Sequence, residues 1–400
     1  MTEAHGSEAR RQLGWLAAAM ILGMTPWFSA TVAAPGMARE WGMSGTAVTW
    51  LTIAVQIGFV GGTLCSALLL LSDRVSARYL AAASALVVAV ATLLVVWRAV
   101  GPLTAISLRV LAGMALAGVY PPGIKIAAGW WKARRGTAIG VLVGALTIGS
   151  AAPNLLRAAL SNTDWRVIMV AAASASLLSA GVFAFVVREG PFQAPSAPFD
   201  SRAVFLVLRD RGVALATTGY LGHMWELYAM WSSIGAFWGV VAVRHGIAPS
   251  TAASLAFATI AAGAVGCVAA GAVADRVGRP MVTIAAMAVS GTCALIIGPS
   301  MSVSALAVAA VSIVWGVSIV ADSAQFSASV TELAPNQYVG TAITLQTCLG
   351  FLLTIVTIRA VPVWAESWGW ERAYMPLAVG PALGIVAMWR LWRRERQTRP

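Results

Sequence analysis

Twelve apolar stretches, each long enough to cross a lipid bilayer, leave this 400-residue chain almost no other way to fold. A bilayer-spanning helix needs roughly 20 mostly apolar residues. Six such stretches run approximately over 13–34, 46–71, 79–98, 103–127, 137–160 and 166–187, and six more over 213–242, 250–272, 280–299, 302–328, 341–363 and 372–392. Within hydrocarbon every backbone group must be satisfied inside the segment, so each stretch reads as a helix. With 59% hydrophobic and only 10% charged residues, no sizeable soluble domain fits beside them. The domains read as an N-terminal six-helix bundle over 1–187, a cytoplasmic linker over 188–212 and a C-terminal six-helix bundle over 213–400. The linker carries Pro191, Pro195 and Pro198 and then FDSRAVFLVLRDRG, a pattern that predicts a short amphipathic helix on the membrane surface. The first span follows a hydrophilic dozen residues with no small-residue cleavage pattern, so it is expected to be retained.

The net charge of +12 would raise nucleic acid as a partner in a soluble chain. Here topology accounts for it. With the N-terminus in the cytoplasm, 18 of the 27 basic residues fall in cytoplasmic segments, which by the positive-inside rule puts both termini in the cytoplasm. The expected partners are the lipid bilayer, a small-molecule substrate and protons, with no nucleic acid, and the expected state is a monomer. Tryptophans at 41, 50, 97, 165, 364, 368 and 370, and at 15, 130, 131, 389 and 392, stand where two interfacial belts belong. Cys65, Cys267, Cys293 and Cys348 lie in apolar runs without metal-ligand spacing, so packing roles, no disulfide framework and no metal site are expected. No phosphate-cradling Gly-rich Lys-Ser/Thr loop and no nucleophile constellation is visible; neither an ATP-driven pump nor an enzyme is expected, and no cofactor is implied.

The halves repeat. Ser72-Asp73-Arg74-Val75-Ser76-Ala77-Arg78 follows the second stretch, and Asp275-Arg276-Val277-Gly278-Arg279 follows the eighth, 202 residues later. Gly136-Thr-Ala-Ile-Gly140 matches Gly340-Thr-Ala-Ile-Thr344 at an offset of 204. The expected fold class is therefore all-α integral membrane, twelve transmembrane helices in two pseudo-symmetric six-helix bundles, as in transporters built from parallel repeats. The second-half loop reads Gly271-x-x-x-Asp275-Arg276-x-Gly278-Arg279, and Arg109-Val-Leu-Ala-Gly113 lies in the fourth stretch. In these motifs, and over essentially all 400 residues, the chain resembles the major facilitator superfamily of secondary transporters. That loop matches the superfamily's GxxxDRxGR motif in full; the first-half copy keeps Asp73, Arg74 and Arg78 but has Leu69, Ser76 and Ala77 elsewhere. The resemblance implies that Asp73, Arg74, Arg78, Gly271, Asp275, Arg276, Gly278 and Arg279 form a conformational latch. In it the acids cap a neighbouring helix and the arginines pair with acids or carbonyls across the seam between halves. It also implies that Arg109, which begins an RxxxG motif lacking the usual Gln (Ala112 stands there), serves proton or substrate coupling. Gly140, Gly149 and Pro153 in the fifth stretch match the family's antiporter motif only in part. The texture of the first and seventh spans is similar to members assigned small inorganic or organic anions, but the arginines of nitrate transporters are missing from the second and eighth.

A charge near the bilayer centre costs roughly 2.5 to 3.5 kcal/mol on insertion scales, so ionisable residues inside spans are functional candidates. Arg109, Lys125, His223, Glu226 and Asp322 qualify. His223 lies about 16 Å along the seventh helix, near the midplane. Glu226, three residues on, can face the same cavity, and a carboxylate beside an imidazole suits proton pick-up and release. Proton coupling is thus expected from Glu226, His223 and Asp322. Asp322 is expected to pair with Lys125 or Arg109 across the halves or to take a proton. Substrate contacts are expected from Arg109, Lys125, Trp27, Trp225, Tyr228, Gln56, Gln346 and Gln325, the aromatics serving equally as packing. The sequence thus predicts a bacterial inner-membrane transporter of a small organic anion, driven by protons through alternating access. The alternative is a proton-driven efflux antiporter for aromatic or cationic drug-like compounds. A membrane receptor or scaffold would bind without flux, and no output domain is visible for one.

Overall fold

The computed structural model describes residues 3–131, 135–160, 164–192, 200 and 203–398, apart from the side chains of 3–5, 72, 73, 135, 205, 206, 208, 275 and 398. Its regular structure is all helix among the described residues, and twelve helices are long and apolar enough to cross a membrane. The chain divides into two compact units, Met1–Ser196 and Ala197–Pro400.

The first unit contains α1 (Gly6–Trp41), α2 (Gly45–Leu68), α3 (Ala77–Trp97), α4 (Pro102–Trp130), α5 (Gly136–Ala159) and α6 (Trp165–Val186). The second contains α7 (Arg211–His245), α8 (Pro249–Ala274), α9 (Arg279–Ser300), α10 (Ala305–Leu333), α11 (Asn336–Trp368) and α12 (Trp370–Gln397). Several helices run past the apolar stretches that announce them, α1 to Trp41 rather than 34 and α7 to His245 rather than 242. Their ends are set by caps rather than by hydropathy: Gly42 (φ 59°) and Gly246 (φ 65°) take the left-handed conformation that closes α1 and α7. Side chains of Ser44, Asp164, Asp210 and Ser304 accept from backbone N–H groups at the starts of α2, α6, α7 and α10. The linker helix is confined to Val204–Arg209.

The same five pairings occur in each unit. In the first, α1 packs on α5 and α6, α2 on α4, and α3 on α4 and α6. In the second, α7 packs on α11 and α12, α8 on α10, and α9 on α10 and α12. The α2–α4 and α8–α10 seams are so close that only glycine fits. A Cβ at Gly113 would lie 2.3 Å from the Val55 carbonyl oxygen and one at Gly316 would lie 1.7 Å from that of Thr259. The ends are tied alike. Glu40 closes α1 onto α6 through Arg166 at 2.5 Å, and Arg244 closes α7 onto α12 through Glu371 at 2.7 Å, the same bridge with its charges exchanged.

Among the described residues α1, α4, α8 and α10 break within their lengths, α8 at Ala262 between Pro249–Ala261 and Gly263–Val277. In α1 the helix stops at Met24 and restarts at Ser29, because Pro26 lacks an N–H and its ring excludes the preceding turn. In α4, Leu116 and Tyr120 flank a turn that precedes Pro121 and Pro122. In α10, Asp322 separates Ala305–Ala321 from Ser323–Leu333 without a proline. Cys267, Cys293 and Cys348 are buried; Cys65 is exposed on α2, contrary to a packing role.

Candidate functional site

Each unit holds a buried polar group of residues beside a broken helix. In the first, Arg109 is fully buried on α4 and its Nη2 donates to the carbonyl oxygens of Pro26 (2.9 Å) and Trp27 (2.5 Å) in the gap of α1. Among the described residues no carboxylate pairs with it; the counter-charge expected from sequence is replaced by carbonyl groups freed where α1 breaks. These oxygens follow the negative end of the helix Glu3–Met24, which favours a cation. Nε and Nη1 of Arg109 have no hydrogen-bond partner, and neither does either amide atom of Gln56, fully buried on α2. Phe59, one turn from Gln56, packs its ring at a tilt against Trp27 with centroids 5.1 Å apart, and Trp27 meets Arg109 through its carbonyl at the α1 break. Lys125 stands half-buried on the second segment of α4.

In the second unit the expected His223–Glu226 partnership does not form. Although three apart on α7, the two take different partners. His223 Nδ1 lies 2.8 Å from Asp322 Oδ1 at the break of α10, with both side chains buried, so Asp322 finds its partner within its own unit. Glu226 accepts from Trp315 Nε1 at 2.6 Å and from Ser290 Oγ at 2.8 Å. Running antiparallel, α7 and α10 put His223 level with Asp322 and Glu226 level with Trp315, seven residues earlier and on the same face of α10. Trp315 is visible in the sequence as an intramembrane aromatic on the face of Asp322; Ser290 gives no signal among many small polar residues.

The remaining candidates disperse. Gln325 accepts from Arg279 Nη1 at 3.0 Å, which ties it to the loop motif. Trp225 Nε1 donates to the Pro376 carbonyl of α12 at 3.2 Å, a packing contact. Tyr228 is buried against Phe351 (5.1 Å) and Trp231 (5.5 Å). Gln346 is buried on α11 with both amide atoms unpartnered.

Arg279 and Arg78 each find partners within their own unit. Arg279 binds Glu332 through Nε and Nη2 at 2.9 and 2.6 Å. Arg78 Nη1 donates to the Val187 carbonyl, while Ser76 Oγ donates to Glu189 at 2.7 Å. Arg74 and Arg276 are exposed, Gly271 is buried, and the side chains of Asp73 and Asp275 lie outside the described residues. Gly278 has φ +88°, a conformation that side chains rarely adopt, which explains its place in the motif. Ser76, its first-half counterpart, has φ −51° and needs no glycine.

The family model of the Major Facilitator Superfamily matches residues 16–358. The chain belongs to that superfamily. Among curated proteins, the MFS-type transporter pytF of Aspergillus terreus is 30% identical over 172 residues, 42% of this chain and 56% of the relative. The match thus spans little more than half the relative's length. Membership of the major facilitator superfamily points to a transporter rather than an enzyme, and the twelve spans make it a multi-pass membrane protein.

Proposed function

We propose that this major facilitator protein is a secondary transporter that moves a small organic anion across a bacterial inner membrane by proton-linked alternating access. The observation that carries the reading is Arg109: a fully buried guanidinium held by two carbonyls, with two of its nitrogens unpartnered, favours an anionic ligand. Gln56 and Trp27 stand on helices α2 and α1 beside it, and Lys125 lies farther along its own helix. Glu226, His223 and Asp322 carry the proton, since buried carboxylates held by hydrogen-bond donors and a buried imidazole are the groups able to load and release one. The bias of basic residues toward segments on one side supports cytoplasmic termini.

The two buried acids favour a second reading, proton-driven efflux of aromatic or cationic compounds. Proteoliposomes with an imposed pH gradient separate the two. Accumulation of malonate, pyruvate or benzenesulfonate that is lost in Glu226→Gln supports anion transport, and Glu226→Gln should leave folding intact. Gradient-driven ethidium movement without anion flux replaces it with the efflux reading, and anion flux untouched by Glu226→Gln removes that residue's proton role.

A further inference from the structure

Resting on the proton-linked anion reading, we infer that His223 is a donor–acceptor switch for substrate, oriented by Asp322. Asp322 Oδ1 lies 2.8 Å from Nδ1, an ion-pair contact outside hydrogen-bond geometry, and a negative charge that close favours a hydrogen on Nδ1 in both charge states of the ring. That leaves Nε2, buried and without a partner, as the atom that changes. In the neutral ring Nε2 offers a lone pair; in the imidazolium it offers an N–H. A half-turn of the ring would set Cδ2 in place of Nδ1 and lose the contact with Asp322, and Tyr220 (6.1 Å) and Phe326 (5.6 Å) flank the ring in the orientation that keeps it.

The titratable groups around the ring are Asp322 from α10 and Tyr220 and Glu226 from α7, with Arg279 one turn of α10 away through Gln325. From α11 and α12, Gly350, Gly380, Gly384 and Met388 approach this stretch of α7, and none of these four is titratable. An anion has no hydrogen to give the neutral ring, but it accepts from the imidazolium. A proton taken from water onto the Nε2 lone pair on the entry side therefore creates the anion's donor, and its return to water on the exit side removes it. Anion and proton travel together through one atom. Asp322 is a positioning residue in this scheme.

The chain has three histidines, so ¹⁵N-histidine NMR of the whole purified protein resolves His223, with His5→Gln and His245→Gln as assignments. The expected neutral form is the Nδ1–H tautomer. It should persist in Asp322→Asn, whose amide oxygen keeps a partial negative charge toward Nδ1, and become mixed in Asp322→Ala. Benzenesulfonate, ionised throughout, serves as probe: it should perturb Nε2 only in the imidazolium and bind about tenfold more tightly at pH 5.5 than at pH 8.5. In His223→Gln, where the amide is a fixed donor, the ratio should fall to about one, with retained melting temperature showing that the variant folds. A neutral Nε2–H tautomer, equal affinity at both pH values, or no benzenesulfonate contact at His223 overturns the switch while anion flux stands. Absence of anion flux in proteoliposomes overturns the underlying transport reading, and the switch with it.

Discussion

Replacing Gly316 by alanine tests the closest helix contact in the second unit. The added Cβ would sit 1.7 Å from the Thr259 carbonyl oxygen and 2.8 Å from its carbon, both backbone atoms that no side-chain rotation can move aside. Carbon–oxygen contacts settle near 3.3 Å, so α8 and α10 must separate by roughly 1.5 Å along a seam that also holds Gly266 against Val317. Overpacking of this kind costs about 1–3 kcal/mol. Alanine's better helix propensity returns up to about 1 kcal/mol, so the net effect is destabilising but smaller than the clash alone suggests. Gly113→Ala, 2.3 Å from the Val55 oxygen, should destabilise less. Gly239→Ala, exposed in α7 with nothing within 4 Å, should show only the propensity gain. Melting temperatures in detergent should therefore rank Gly316→Ala below Gly113→Ala, and both below wild type and Gly239→Ala. A Gly316→Ala protein melting at or above wild type would refute the reasoning.

Other consequences are equally open to measurement. Arg109→Lys keeps a charge but cannot bridge the Pro26 and Trp27 carbonyls with one planar group, so anion uptake in proteoliposomes should drop at least about tenfold; uptake equal to wild type would rule out a role for the fork. Trp315→Phe keeps a ring against Tyr374 but removes a hydrogen bond to a buried carboxylate, worth about 1.5–3 kcal/mol. Its melting temperature should fall, and an unchanged value would show that the bond contributes nothing. Exchanging Glu40 and Arg166 should lower melting less than either single change, which places like charges together; some loss should remain, because the exchange sets a glutamate beside Asp164 and removes the carboxylate that accepts from Trp165 Nε1.

The spans were legible because a bilayer imposes a length and an apolar texture that no turn or soluble helix shares. Helix ends were not, since α1 and α7 run beyond the apolar stretches to where Gly42 and Gly246 close them. Arg109, His223, Glu226 and Asp322 stood out as charges in apolar sequence, and all four are buried. Their partners could not be read the same way. His223 and Glu226 lie close on one helix, but which acid meets the imidazole depends on the register of α10 against α7, a property of two helices at once. Arg109 has carbonyls for partners, groups every residue carries and no sequence distinguishes. Gln325 has the loop arginine Arg279 as a partner, a pairing of two distant segments that neither announces alone.

The two end bridges also record how a doubled chain can drift. Reversing an ion pair takes two substitutions, and whichever comes first sets like charges face to face. Around Glu40 and Arg244 the pairs are half open to water, which screens such a mismatch, so the path between the two polarities stays passable. At Gly113 and Gly316 the first step is the steric one, with no solvent to soften it, and both halves still carry glycine.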